Sequence, residues 1–272
     1  MTTNNVQTSY DAAPGVAYAG QLVDTMPHDV ASGIAGSDVV AGVVLLRNDG
    51  GLGVVQPSIP DPSATAILAT GGASAAAPHT YSGTALNGTV GGGEMVVPRN
   101  VTLTLSNSTD WDTTNATVNG LNADGDAVSE ILAIPNNGNT TLNGSVLFSK
   151  VTSIVVDAQS GTGGTFTAGF GSLVGEITRH VTGASLYDSS KAPGVFAAGT
   201  TVPVLRKGRV YLQSEAGRPD DPVWVRVSAS GSQVLGAVRS SADGNTCARL
   251  RGAIFRSTTS NGLAVVEFNL PR

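Results

Sequence analysis

The sequence predicts an all-β protein, and three observations carry that prediction. Short segments of alternating β-branched, aromatic and polar residues recur along the chain between Gly, Pro, Asn and Asp. No window sustains the period of an amphipathic helix. Thirty-five glycines and only 13% charged residues suit a turn-rich strand protein better than a helical one.

The densest strand signal lies in residues 201–228. Val202, Val204 and Leu205 lead to Arg206-Lys207-Gly208-Arg209, which reads as a basic hairpin turn. Val210-Tyr211-Leu212 resumes the strand, and a Gly/Pro/Asp break precedes Pro222 to Val227. There Val223, Val225 and Val227 share one face, expected to be core, while Trp224 and Arg226 share the other, expected to be surface.

Residues 1–20 are polar and then small and apolar, with Tyr10, Pro14 and Tyr18 spaced as in an arm that docks on another surface. Gln21–Asp24 and Val39–Arg47 are the next strand candidates. Between them, His28 beside Asp29 has no nucleophile motif and reads as a loop histidine. A composition change at Asn48-Asp49-Gly50-Gly51, followed by Pro57, Pro60 and Pro62, marks a boundary. From residue 57 to 172 seven short strands are expected: 65–70, 84–90, 101–105, 115–119, 128–134, 151–156 and 165–170. That spacing predicts a separate immunoglobulin-like β-sandwich without a disulfide. After it come 174–177, 181–186, the meander at 201–228, and strands ending with Leu263–Leu270. A strand at the end of a chain commonly closes a sheet or barrel.

Chemistry-bearing motifs are tested and set aside. Asn122, Asp124 and Asp126 have the alternate spacing of a calcium loop, but Ala127 and Ala133 stand where glycine and a bidentate glutamate are needed. Asp124-Gly125 is instead a hairpin turn. Gly161-Thr162-Gly163-Gly164 lacks the P-loop lysine and opens no helix. Gly183-Ala184-Ser185-Leu186-Tyr187 lacks the second glycine of a nucleophile elbow. The three histidines are scattered, and no enzyme, cofactor or metal site is expected. Cys247 is the one cysteine and reads as a buried strand residue.

The N-terminus lacks a secretory pattern and no apolar run is long enough to span a bilayer, so synthesis in a cytoplasm is expected, without a membrane partner. The sequons at Asn87, Asn107, Asn115, Asn139 and Asn143 then read as turn and strand-edge asparagines. The net charge of -5 conceals an asymmetry: residues 1–56, 57–172 and 173–272 carry -4, -6 and +5. A basic segment suits nucleic acid or an acidic protein surface. Sparse stacking aromatics and an acidic whole argue against nucleic acid.

Three stretches, in order, resemble the structural cement or capsid decoration proteins of tailed bacteriophages. They are Val16-Ala17-Tyr18-Ala19-Gly20-Gln21-Leu22-Val23-Asp24, Phe196-Ala197-Ala198-Gly199 with Val202–Val210, and Gly262–Asn269. The resemblance covers residues 10–47 and 173–270. It implies a small β-barrel built from residues 1–56 and 173–272, with 57–172 inserted as the immunoglobulin-like domain. It further implies a non-enzymatic protein on the outer capsid surface of the virion, synthesised in the host cytoplasm. Its partners would be the major capsid protein and itself, as a homotrimer. Tyr10, Pro14, Tyr18, Arg206, Lys207 and Arg209 are then the candidate residues facing capsid or neighbouring subunit. The competing reading is an adhesin-like module whose inserted domain touches a glycan or host surface; its aromatic resources there are mainly Tyr81 and Trp111.

Overall fold

A computed structural model describes residues 17–23, 28–47, 53–59, 63–75, 77–86, 94–106, 108–177, 181–188, 194–228 and 231–270. They form no α-helix, so the all-β expectation holds. Among the described residues no helix is long and apolar enough to cross a membrane.

The first segment contributes β1 (Asp29–Ala35), β2 (Val39–Val40), β3 (Val44–Arg47) and β4 (Gly53–Val55). The middle one contributes β5 (Ser63–Gly72), β6 (His79–Ser82), β7 (Glu94–Ser106), β8 (Thr114–Leu121), β9 (Ala127–Ile134), β10 (Thr141–Val156) and β11 (Thr165–Val174). The last contributes β12 (Val181–Ser185), β13 (Val195–Phe196), β14 (Thr201–Ala216), β15 (Pro222–Arg226), β16 (Val238–Arg239), β17 (Cys247–Phe255) and β18 (Leu263–Asn269).

β14 organises the molecule. Its first half pairs with β1 and β12, and from Lys207 onward it pairs with β18. Following the hydrogen bonds around, β1, β4, β3, β12 and β14 close one five-stranded ring, and β14, β16, β15, β17 and β18 close a second. Closure removes open sheet edges, the usual hazard of an all-β surface. β18 does close a ring, as its place in the sequence suggested.

The predicted turn at Arg206–Arg209 is therefore a correction: these residues lie within a continuous strand. Lys207, Gly208 and Arg209 pair with Asn269, Phe268 and Glu267. The register shift against β1 near Asp29 falls at Arg206, skipped between Leu205, which pairs with Val30, and Lys207, which pairs with Asp29. The reversal expected here is instead extended strand, and Gly208 pairs with Phe268 within it. The Gly208 φ of +126° suits glycine, and a Cβ there would lie 3.0 Å from that of His28.

Alternation along β14 divides the interior. Val202 and Val204 join Ala35, Leu45, Val54 and Phe196 in one buried cluster. Leu205, Val210 and Leu212 join Val223, Val225, Val227, Phe255, Val266 and Phe268 in a larger one. The valine face of β15 is thus core, as expected.

The middle strands form a sheet of order β5-β11-β7-β10-β8-β9, with β6 on β10, around a third cluster containing Trp111, Phe148 and Phe166. β10 is much longer than the predicted 151–156 because its first half, Thr141 to Lys150, extends the ladder along β7. Residues 84 and 85, expected as the start of a strand at 84–90, instead belong to a short 3₁₀ turn over 83–85 after β6; 87–90 lie outside the described residues. The second and third clusters approach one another along β7: Met95 belongs to the middle core, and Val97 packs with the core of the second ring.

Candidate functional site

The described part of the N-terminal arm docks on its own chain. Gly20 N–H donates to Tyr211 O (2.7 Å), Tyr211 N–H to Gln21 O (2.9 Å) and Val23 N–H to Arg209 O (3.1 Å), with Leu22 bridged to Val210. This backbone pairing holds Tyr18 against Tyr187, ring centroids 4.5 Å apart and tilted by 58°. The two rings remain 46% and 40% exposed, a rigid aromatic pair on the surface. Tyr10 and Pro14 lie outside the described residues.

The three basic candidates separate. Lys207 is exposed, whereas Arg209 is tied to Glu267 at 2.8 Å. Arg206 instead lines a pocket with Arg47 and Thr182. They do not form a basic tip, because they lie along a continuous strand in which Lys207 pairs with Asn269 and Arg209 with Glu267.

Arg226, expected on the surface, is 1% exposed. Its Nε donates to Glu215 Oε1 (2.9 Å) and its Nη1 lies 2.9 Å from Asp243 Oδ2. Arg239 contacts the same two carboxylates, at 3.3 and 2.9 Å. β14, β15, β16 and the loop before β17 thus meet in one ion network. Hydrogen bonding to Glu215 raises the Arg226 pKa against the opposing effect of burial. The hydrogen bond from Arg226 holds the Asp243 carboxyl below its ordinary range. Cys247 beside this network is buried and free, its thiol pKa pushed up by burial.

Much of the basic C-terminal segment is committed in the same way. Arg256 reaches Glu267 and Asp220, and hydrogen bonding first to Arg256 and then Arg209 lowers the Glu267 pKa. Arg249 and Arg251 hold Glu176, and Arg251 also reaches Asp124 at 2.8 Å, joining the β8–β9 turn to β17. In that turn Asn122 Oδ1 accepts the backbone N–H groups of Asp124 and Asp126, both at 2.9 Å. Asn122 thus acts as a turn residue and Asp124 as an ion-pair partner, in keeping with the hairpin reading. Among the described residues no three His, Cys, Asp or Glu side chains cluster to hold a metal.

The aromatics considered for sugar stacking are occupied. Trp111 is fully buried and donates to Ser106 O (2.8 Å). The half-buried Tyr81 ring stacks on His79, while its hydroxyl donates to Gly72 O (2.9 Å) and accepts Gly72 N–H (2.6 Å).

Closed β rings, ion-paired arginines and a small exposed aromatic pair define a strand-built protein. Residues 112–269 match the family described as structural cement protein (E217 gp24/Pam3 gp6), and the chain belongs to that phage structural family. Membership implies a non-enzymatic, capsid-associated role. The matched span takes in β8–β11 together with β12–β18 and starts beyond the N-terminal stretch that also carries the resemblance. No curated protein matches the chain. Among solved structures, a chain from "The capsid of Myoviridae Phage XM1" is similar over 96% of this chain and 98% of its own. Its sequence identity is 9% and its TM-score 0.41, a likeness too slight to carry argument.

Proposed function

We propose that this protein is a capsid decoration protein that binds the outer surface of the major capsid protein shell and stabilises the expanded head. The observation that carries the reading is the cement-family match over residues 112–269. A protein that binds only the expanded shell favours that state by mass action. Contacts spanning several capsomers add avidity, which suits a homotrimer at threefold or quasi-threefold positions. In this reading residues 1–56 and 173–272 form the capsid-binding barrel domain, and 57–172 an immunoglobulin-like domain. The protein is made in the host cytoplasm and ends on the virion surface.

The exposed Tyr18–Tyr187 pair supports a role for the N-terminal segment in contact with capsid or subunit, together with Tyr10, Pro14 and Lys207. Burial of Trp111 and engagement of Tyr81 favour this reading over glycan binding by the middle unit.

The test is co-sedimentation of the purified protein with expanded, undecorated heads. Saturable binding at a fixed stoichiometry is expected. Protein remaining in the supernatant over heads competent for decoration would overturn the proposal.

A further inference from the structure

The first five-stranded ring opens into a pocket of about 240 Å³, to which every one of its strands contributes. Ser32 and Gly33 of β1 and Val54 of β4 line it, with Arg47 of β3, Thr182 of β12 and Arg206 of β14. The sequence pattern explains its polarity. Leu45 and Arg47 are two apart on β3 and share a strand face, as do Val202 and Val204 on β14. Arg206, the extra residue of the β1–β14 bulge, lines the pocket just beyond them. Leu45, Val54, Val202 and Val204 belong to the buried apolar cluster, while Arg47 is exposed and Arg206 half-buried. The apolar interior thus ends in two guanidinium-bearing residues. β12, pairing with both β3 and β14, lies between them and carries Thr182.

Thr182 Oγ1 is buried and finds no hydrogen-bond partner among the described residues. Buried hydroxyls normally have partners, and leaving one without is destabilising. No acidic residue lines the pocket among the described residues. Both arginines hold other contacts, but each guanidinium has five donors to distribute. The volume corresponds to roughly eight waters, enough for a short side chain. Apolar walls, a hydroxyl and a cationic rim suit a carboxylate on an aliphatic stem.

We propose that this pocket receives an acidic side chain of the capsid surface, its methylenes against Val54 and its carboxylate between Arg47, Arg206 and the Thr182 hydroxyl. The inference rests on the capsid-binding reading and specifies the chemistry of one contact.

The experiment has two arms, both on the full chain. In the first, ¹⁵N-labelled protein is titrated with glutarate, glutaramide and inorganic phosphate while the arginine Nε–H resonances are followed. Saturable shifts of Arg47 and Arg206 with glutarate, but not glutaramide, are expected. Thr182→Val should weaken glutarate binding several-fold while leaving the free protein at least as stable, since it removes an unsatisfied hydroxyl. Absence of saturable shifts, or shifts with phosphate alone, would overturn the carboxylate site.

In the second arm, heads are mixed with wild type and with Arg47→Gln/Arg206→Gln. The double variant should bind roughly tenfold or more weakly. Wild-type binding should be competed by glutarate. The two failures separate. Wild type left in the supernatant overturns the capsid reading and this occupant with it. Equal decoration by wild type and double variant overturns the pocket contact alone.

Discussion

Replacing Arg226 by Met should reveal how strongly the second ring depends on its ion network. The residue is 1% exposed and bridges Glu215 on β14 to Asp243 before β17, while Arg239 shares both carboxylates. Removing one member of a buried ion pair costs about 3–5 kcal/mol when the remaining charge is stranded. Here the stranding is partial: Glu215 and Asp243 side chains are 24% and 44% exposed, and both retain Arg239. Methionine also preserves much of the buried stem volume. The expected loss is therefore about 2 kcal/mol, below that range because water and Arg239 compensate. For a unit of this size it corresponds to a melting-point drop of about 4–8 °C. Urea unfolding and differential scanning calorimetry at pH 7 would measure it. A change below about 0.5 kcal/mol, the size of an ordinary surface substitution, would refute a buried network that locks the ring.

The remaining predictions address other parts of the molecule. Trp111→Ala should destabilise the middle unit by about 3–5 kcal/mol, since the ring is fully buried and its indole N–H holds Ser106 O. Calorimetry should then show an earlier transition for that unit, and an unchanged melting profile would contradict its placement in the core. Gly183→Ala should disrupt the β12–β14 pairing: φ is +145° and an added Cβ would fall 2.1 Å from Leu205 O. Loss of folded yield or at least about 2 kcal/mol is expected, and a wild-type urea midpoint would count against this geometry. The pH dependence follows from Asp243 and Glu267, whose pKa values are lowered in the folded chain. Their contribution is fully present above the unfolded carboxylate range near about 4 and is lost as pH falls through the lower folded values. Urea midpoints should therefore gain nothing from these two groups between pH 8 and 5 and decline in strong acid. A loss shared by both groups that begins above pH 5 would contradict the assignment.

Local patterns in the sequence reveal much of this fold, whereas pairings across long separations do not show. The valines of β15 alternate with Trp224 and Arg226, so their shared face follows from period two alone. Arg226 breaks that rule because Glu215, Arg239 and Asp243, remote in sequence, converge on it and make its burial tolerable. Arg206–Arg209 resembles a turn because charge and glycine usually mark one. In β14 the bulge falls at Arg206, and partners from β1 and β18, distant along the chain, keep the strand extended. The same holds for β10, expected only at 151–156, whose earlier residues are held by β7 on either side of a register shift between Asn143 and Leu147. At the candidate surface Tyr18 stands out in the sequence by its spacing, but its ring partner Tyr187 does not. The pocket of Arg47, Thr182 and Arg206 emerges only when three separate strands join in one ring.

Calorimetry of expanded heads with and without saturating protein tests the cementing role most directly. A rise in the shell's disruption temperature that saturates with bound protein is expected, because binding to the intact shell alone must stabilise it. Heads that bind the protein yet come apart at an unchanged temperature would contradict cementing.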